Sequence, residues 1–207
     1  MSLPISNITI SVIVLEDNSD GNNLSYSATY VQGDDSFPVT LKSYGERNVI
    51  EVDTAVVVAG FASIDKGGNL VVDYSMAIPF QGEFCNRIFL GGHLPRNPEV
   101  RQGRNGKSFT TLTLAVAAYK QETSWFNCAA NGKNGEFVAQ YTEKGSSLCI
   151  EGTLRFKAGE DKTFLNVSIF KAHLMPRSTK AANKEGGGNS TSTKKTASKD
   201  NWDDISF

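Results

Sequence analysis

The sequence predicts an all-β protein with one short helix, and the pattern of its strands is the first reason. Between Cys85 and Met175, apolar and polar residues alternate in short runs, for example from Phe109 to Val116 and from Leu165 to Ile169. This period-two pattern is typical of strands with one buried face. Gly, Asn and charged residues separate the runs and predict turns.

One segment in the same region predicts a helix instead. From Glu136 to Lys144, the apolar residues Phe137, Val138 and Tyr141 recur at helical spacing, and Gly145 follows as a helix stop. Three strands, one short helix and two further strands form the element order of an OB-fold, a small and partly open Greek-key barrel. Because OB-folds often bind oligonucleotides, this element order also suggests a function.

The first part of the chain predicts a second set of strands. The turns between them are polar and rich in Gly and Asn, as at Asp17 to Asn23 and Asp65 to Asn69. The predicted strands run from Ile8 to Val14, Leu24 to Val31, Phe37 to Leu41, Ala55 to Ala59 and Leu70 to Met76.

A faint internal repeat relates the two halves of the chain. The segment from Val57 to Phe61, with Leu70 to Ser75 after a polar turn, resembles Cys149 to Thr153 followed by Phe164 to Ser168. We therefore predict two OB-folds in tandem, the first of them in residues 1–82. The alternative is an unrelated small β domain, because alternating strands resemble one another by chance.

Length and composition set the limits of this interpretation. The 207 residues allow one large or two small domains, and 21% charged with 39% hydrophobic residues is ordinary for a soluble protein. No apolar run reaches the ~20 residues that span a bilayer, and the N-terminus lacks a signal sequence, so we expect cytoplasmic residence. Cys85, Cys128 and Cys149 form no CxxC pair, which predicts reduced structural thiols and neither a metal site nor a cofactor.

Charge is distributed unevenly along the chain. Residues 1–82 hold three basic and ten acidic residues, a net charge of −7, whereas residues 83–177 hold thirteen basic and eight acidic residues, a net charge of +5. The overall charge of −1 hides this polarity. A polyanion would be attracted to the second block and repelled by the first.

Four groups of residues carry a resemblance to a known family. They are Asn86-Arg87-Ile88 with Leu94 and Asn97-Pro98-Glu99-Val100-Arg101; Phe109 with Leu112-Thr113-Leu114-Ala115-Val116; Thr123-Ser124-Trp125; and Tyr141 with Lys144-Gly145-Ser146 and Ile150-Glu151-Gly152. In this order and at this spacing they resemble bacterial single-stranded DNA-binding proteins. The resemblance implies sequence-independent binding and protection of single-stranded DNA in replication, recombination and repair.

The resemblance also implies which aromatic side chains stack on bases. Trp125 occupies the position of a DNA-stacking tryptophan in that family, and Tyr119 and Phe156 lie close to two further such positions. Where the family often has another stacking phenylalanine before Gly-Lys, this chain has Asn131, so one base contact is in doubt. We assign the remaining aromatic residues of this region to the core, namely Phe89, Phe109, Phe137 and Phe164.

Binding to a single strand also requires cations along its backbone. The basic residues of the second block that lie near strand starts or in loops, interleaved with the aromatic residues, are the predicted phosphate contacts. They are Arg87, Arg96, Arg101, Arg104, Lys107, Lys120, Lys133, Arg155 and Lys157.

The composition changes beyond Arg177. Residues 178–199 hold Lys, Ser, Thr, Ala, Asn and Gly without a large apolar residue, which predicts a disordered, flexible linker. Residues 200–207 then bring Trp202, Ile205 and Phe207 among Asp203 and Asp204. This acidic tip resembles the peptide by which the family recruits replication, recombination and repair proteins, although Ser206 stands where the family has proline. The alternative is a tail that folds back on its own barrel.

The predicted tandem of two barrels also leads to a prediction of the oligomeric state. The family builds its working unit from four OB-folds, so two folds on this chain imply a homodimer, and a homotetramer is the alternative. The first half has no tryptophan and a net negative charge, so we expect it to act as a scaffold and to bind little DNA.

Other functional classes find less support. His93 and His173 are the only histidines, and no nucleophile motif or phosphate-binding Gly-rich loop is present, which argues against an enzyme. An OB-fold adaptor in primosome assembly, or an RNA-binding protein, is the open alternative, with the acidic first half as a protein-binding module.

Overall fold

The computed structural model describes residues 5–44, 49–82, 84–103, 106–117, 122–159 and 163–175. The described elements are eleven strands and one helix. They are β1 (Ile5–Asp17), β2 (Asn23–Gln32), β3 (Asp35–Tyr44), β4 (Ala55–Ile64), β5 (Leu70–Pro79), β6 (Asn86–His93), β7 (Glu99–Gln102), β8 (Ser108–Val116), β9 (Ser124–Asn131), α1 (Gly132–Tyr141), β10 (Ser147–Ala158) and β11 (Thr163–Leu174).

Strands β1 to β5 close into a first barrel. β1 pairs with β2 and with β4, β2 pairs with β3, and β4 pairs with β5, all antiparallel, while β3 and β5 close the circle in parallel. The inward-facing residues are large and apolar, and Tyr26, Phe37 and Leu41 are among the most deeply buried. The alternation read from the sequence therefore does place one face of each strand in a core.

Strands β6 and β8 to β11 close a second barrel with the same order. β6 pairs with β8 and with β10, β8 with β9, and β10 with β11, again antiparallel, while β9 and β11 pair in parallel. The short strand β7 adds to the outer edge of β8. This closed five-stranded pattern, shared by both halves, confirms the predicted OB-fold class.

Helix α1 lies between the third and fourth strands of the second barrel and covers part of its core. Val138 and Gly135 are buried, and Phe137 packs against the core from the side. The predicted helix bounds, 136–144, were wrong at both ends. The helix begins four residues earlier because Asn131 ends β9 in an extended conformation and the helix follows directly. It ends before Thr142, and Gly145 serves a separate turn at φ +87°.

The internal repeat corresponds to a shared structural feature. A β-bulge interrupts the β4–β5 pairing between Ala59 and Gly60, and another interrupts β10–β11 between Glu151 and Gly152. A Cβ on Gly60 would lie 2.2 Å from the Asp73 carbonyl oxygen, and one on Gly152 would lie 2.5 Å from that of Ser168. Both positions therefore need glycine, because a neighbouring backbone approaches too closely for any side chain.

The first strands of the two barrels join them into one sheet. β1 and β6 pair antiparallel from Ile5 opposite Gly91 to Ile10 opposite Asn86. The eleven described strands thus form a continuous sheet that curls into two barrels. Both barrels share one cluster of buried apolar side chains within the compact unit Met1–Arg177.

No helix within the described ranges has the length and apolar character needed to cross a membrane. The predicted linker, residues 178–199, and the acidic tip, residues 200–207, lie outside the described residues.

Candidate nucleic-acid interface

Trp125 projects from β9 toward solvent. In this strand Ser124, Phe126 and Cys128 are buried, so the alternate residues Trp125 and Asn127 face outward. Trp125 is 54% exposed, which leaves ring surface available to a ligand. Burial raises the pKa of the Cys128 thiol, so this inward neighbour stays protonated and inert.

A second aromatic side chain lies beside Trp125. Phe164, at the start of the parallel neighbour β11, is 46% exposed because Val167 and Ile169 occupy the opposite, inward face. Trp125 and Phe164 both line a cleft of about 190 Å³. The other residues of this aromatic cleft are Ile64, Gly67, Gly68, Phe126, Asn127, Thr163 and Leu165.

Two cations stand in register with this aromatic pair. Lys157 of β10 lies opposite Phe164, and Arg155 lies opposite Asn166. Both basic side chains are exposed, because the intervening residues of β10 point inward. Opposite residues on paired strands have Cβ atoms ~5 Å apart, so each cation is a direct neighbour of the aromatic or amide group across from it.

A polar cleft of about 180 Å³ adjoins the aromatic cleft, and Asn127 lines both. It contains two of the predicted phosphate contacts, Arg96 and Arg101. The Arg96 Nη2 atom donates a hydrogen bond of 2.8 Å to Oγ1 of Thr113. The remaining residues of the polar cleft are Asn97, Glu99, Thr111, Leu112, Cys128 and Asn166.

Arg101 is held by an acidic partner. Its Nη2 atom lies 2.7 Å from Oε2 of Glu99, and this hydrogen bond and charge hold the pKa of the Glu99 carboxyl below its ordinary value. The pair is exposed, so its two charges are well screened by water. Arg101 can therefore exchange Glu99 for a phosphate at little cost.

The two clefts lie next to each other along β9. Trp125 and Asn127 are two residues apart on one strand, a distance of roughly 6.7 Å along the chain. An aromatic platform with Arg155 and Lys157 on one side and Arg96 and Arg101 on the other can offer ring faces to bases and positive charge to phosphates. This combination does not require any particular base.

Phe156 requires a correction. It is only 6% exposed, and its ring stacks against Phe37 and Tyr30 of the first barrel. Its backbone is also bonded to Gln32, whose amide donates to the Phe156 carbonyl oxygen at 3.2 Å. Because its ring is buried against these two side chains, Phe156 joins the barrels and does not present a surface to a base.

The core assignments were wrong for two aromatic residues. Phe164 lies in the aromatic cleft, and Phe89 is 37% exposed on the outer face of β6. Phe137 packs against the core, and Phe109 is half-buried. Sequence parity could have identified Phe164, since it is out of phase with Val167 and Ile169 on the same strand.

Two of the predicted cations lie elsewhere on the second barrel. Arg87 is on β6, separated from β9 by β10 and β11, where it donates to Glu151 at 3.1 Å and its guanidinium lies 5.1 Å from the ring centre of Phe170. Lys133 is in the first turn of α1, whose Asn134 side chain donates to the Phe170 carbonyl oxygen. Both residues therefore lie near Phe170, six positions along β11 from Phe164.

The other predicted site residues are exposed near the ends of β8 and β9 or lie outside the described ranges. Lys107 is exposed beside the start of β8. Asn131 is exposed at the last position of β9, on the Trp125 face, where an aromatic ring would have extended the stacking surface. Several predicted residues lie outside the described ranges, namely Tyr119, Arg104, Lys120, Asp203, Asp204, Ile205 and Phe207. Within those ranges no cluster of His, Cys, Asp or Glu has the geometry of a metal site.

Comparison with known proteins places this interface in context. Residues 85–176 match the model of the single-strand binding protein family. A single-stranded DNA-binding protein of Fusobacterium nucleatum is 32% identical over 85 residues, which cover 37% of this chain and 55% of that relative. The match therefore spans about half the length of the relative.

Solved structures resemble the fold over nearly the whole chain. The wild-type single-stranded DNA binding protein from Thermus aquaticus has a TM-score of 0.64 at 16% identity, covering 90% of this chain and 98% of that one. A deletion mutant of the same protein has a TM-score of 0.62 at 16% identity, with 86% and 98% covered. At this identity the likeness shows the fold of both barrels. Over residues 85–176, the chain is therefore similar to the single-strand binding protein family.

Proposed function

We propose that this protein binds and protects single-stranded DNA without sequence preference. The observation that carries the proposal is the exposed pair Trp125 and Phe164 in one cleft, with Arg155 and Lys157 in register beside it. The family match of residues 85–176 and the name of the Fusobacterium relative support the same ligand. The protein acts by binding and carries out no chemical step on the strand.

Binding rests on two contributions. Bases stack on the two rings, each for ~1–3 kcal/mol, and any base can do so because every base has a π-face. Phosphates meanwhile displace counterions at Arg96, Arg101, Arg155 and Lys157, which makes affinity fall as salt rises. A duplex keeps its bases stacked on one another, so the aromatic cleft selects for unpaired strands.

Titration with poly-dT tests the proposal directly. We expect quenching of Trp125 fluorescence and a binding constant that falls with salt, with a log–log slope near −0.7 for each neutralised phosphate. Equal affinity for duplex DNA of the same length, or an affinity that salt leaves unchanged, would refute it. Incubation of a labelled strand with magnesium serves as the control for catalysis, and we expect no cleavage.

We further propose that the acidic tip recruits partner proteins of replication, recombination and repair. Phe207 supplies an apolar ring close to the carboxylates of Asp203 and Asp204, so a basic pocket with an apolar floor can hold the ring and the acidic groups together. Asp203 and Asp204 steer the tip toward cationic surfaces. Removal of Ile205 to Phe207 tests this: partner capture should be lost while poly-dT affinity is unchanged or slightly higher, and unchanged capture would exclude the docking role.

Self-association is the third proposal, as a homodimer with four barrels. Phe61, Asn7 and Phe89 form one cross-strand row over β4, β1 and β6, and both phenylalanine rings are exposed. A broad sheet face with exposed rings is suited to a second copy of itself under two-fold symmetry. Small-angle scattering should give twice the chain mass, and a change of both Phe61 and Phe89 to Glu should give a monomer. A wild-type monomer at micromolar concentration would overturn the dimer.

A second candidate function follows from Asn131 and from the acidic first half. Loss of an aromatic ring at Asn131 reduces the stacking surface, and a barrel of net charge −7 is suited to basic protein partners. These features favour an adaptor in primosome assembly or an RNA-binding role. Competition between DNA and RNA strands of equal length separates the candidates, since a DNA-protecting protein should prefer DNA. For the first proposed function, the binding of single-stranded DNA, we expect the protein in the cytoplasm, associated with the nucleoid.

A further inference from the structure

The aromatic cleft has a wall that comes from the other barrel. Ile64, Gly67 and Gly68 belong to the end of β4 and the β4–β5 turn of the first barrel, yet they line the same cleft as Trp125 and Phe164. The acidic half of the chain therefore borders the site where a base would stack.

Two contacts hold this turn against the second barrel. The Ile64 backbone N–H donates a hydrogen bond of 3.1 Å to Oγ of Ser124, the residue before Trp125. The ammonium group of Lys66 lies 3.7 Å from Oε1 of Glu122. The hydrogen bond to Ser124 places the turn beside the indole, and the Lys66–Glu122 ion pair is an additional, exposed contact.

The acidic side chain of the turn, Asp65, is hydrogen-bonded within the turn itself. The Asp65 carboxylate accepts hydrogen bonds from the Asn69 backbone N–H at 2.8 Å and from its side-chain amide. Slight burial raises the pKa of Asp65, but these bonds and those from Gly67 and Gly68 outweigh it and lower the pKa overall. The carboxylate is thereby directed at donors within the turn.

Beside the cleft the turn is open. Gly68 has φ +85°, and a Cβ built on it would meet nothing within 4 Å, so free space adjoins this residue. Lys66 is 88% exposed and its partner Glu122 is 82% exposed, so their ion pair is weak and readily exchanged. Lys66 is also the only basic residue in the turn from Asp65 to Asn69.

We propose that the β4–β5 turn of the first barrel is part of the DNA-binding surface, and that Lys66 leaves Glu122 to contact a phosphate of the strand whose base stacks on Trp125. This inference rests on the proposed binding of single-stranded DNA. It replaces the expectation that residues 1–82 act only as a scaffold, because a strand in the aromatic cleft then runs between the two barrels.

Two substitutions of Lys66, with Lys42 as the matched control, test the inference. Lys42 is an exposed lysine of the same barrel, opposite Asp73 on β5, and it lies outside the β4–β5 turn that borders the aromatic cleft. Lys66→Met should lower poly-dT affinity roughly two- to fivefold, as expected for one exposed charge contact, and reduce the salt slope by about 0.7. Lys66→Glu should lower affinity further, whereas Lys42→Met should change neither quantity.

A cross-linking measurement locates the strand independently. Oligo-dT carrying 4-thiothymidine should cross-link to peptides containing Trp125 and to peptides containing Ile64 to Asn69. Unchanged affinity and salt slope in both Lys66 variants, together with absence of cross-links to Ile64–Asn69, would overturn the inference. The wild-type protein is titrated with poly-dT in the same experiment. If the wild type binds and only the Lys66 tests fail, the proposed function stands and the inference is wrong. If the wild type does not bind poly-dT, the proposed function itself is refuted.

Discussion

Phe156 of the second barrel stacks on Phe37 of the first, with ring centres 5.0 Å apart and an angle of 17° between the planes. Tyr30 completes this aromatic group, with its ring centre 5.2 Å from that of Phe156. The Tyr30 hydroxyl accepts a hydrogen bond of 2.7 Å from Asn86, whose amide also bonds the backbone of Leu154. The barrels are therefore joined by packed rings and satisfied polar groups as well as by strand pairing.

The first prediction separates stability from binding. Phe156→Ala should lower the free energy of unfolding by about 3–5 kcal/mol, because it empties a packed site between the barrels. Phe164→Ala should leave the unfolding free energy nearly unchanged and lower poly-dT affinity by about 1–3 kcal/mol, because its ring is half-exposed in the cleft. Urea unfolding and strand titration measure the two quantities. Equal poly-dT affinity of the wild type and Phe164→Ala would show that Phe164 is not part of the interface.

The second prediction concerns the indole. Trp125→Ala should weaken poly-dT binding by about 1–3 kcal/mol, the value of one stacked base. The chain has two tryptophans, so Trp202→Ala is a matched control that should bind normally. Fluorescence quenching should persist in Trp202→Phe and disappear in Trp125→Phe. Full quenching without Trp125 would contradict the assignment of the cleft.

The third prediction concerns the two cations in register with the aromatic cleft. Changing Arg155 and Lys157 together to Gln should make the log–log salt slope less steep by about 1.4, because two phosphates are no longer neutralised. Lys133→Gln serves as a control on the far part of the barrel, near Phe170, and should leave the slope unchanged. An equal change of the salt slope in Lys133→Gln would indicate that the whole basic block, residues 83–177, attracts the strand diffusely.

The fourth prediction concerns alkaline stability. Burial, with smaller contributions from Tyr26 and Asp17, raises the pKa of Tyr74 above its ordinary value near 10. The unfolded chain then loses this proton at lower pH than the folded one, so stability is full below pH ~10 and falls as pH rises above it. The loss is about 1.4 kcal/mol per pH unit for one group. Tyr74→Phe should lessen this loss in urea unfolding between pH 10 and 11, and an unchanged pH profile would exclude Tyr74 as its source.

Local sequence patterns were sufficient for most of the fold. Strict alternation along β2 and β10 assigned their inward faces correctly, because each strand has a buried and an exposed side. The start of α1 could not be read in the same way. Asn131 is a usual N-cap residue, but Gly132 and Gly135 are poor helix formers and the apolar helical spacing starts only at Phe137, so the first turn of the helix was missed.

Part of the candidate site could likewise be predicted from the sequence, and part could not. Trp125 was predicted from its resemblance to a family motif, and its exposure agrees with that role. Phe156 could not be assigned from its own strand, since its burial depends on Phe37 and Tyr30, which lie more than a hundred residues earlier. The contribution of Gly67 and Gly68 to the cleft depends likewise on how the two barrels meet.

Pairing between β1 and β6 limits how this protein can be divided. A fragment that began at Asn86 would keep the second barrel's other strand contacts but would leave the Asn86–Gly91 edge of β6 without its partner. Unpaired backbone donors and acceptors on such an edge attract strands from neighbouring molecules. Fragments truncated at this boundary should therefore aggregate or exchange strands. A stable isolated second barrel would need charged residues or proline on the exposed edge of β6.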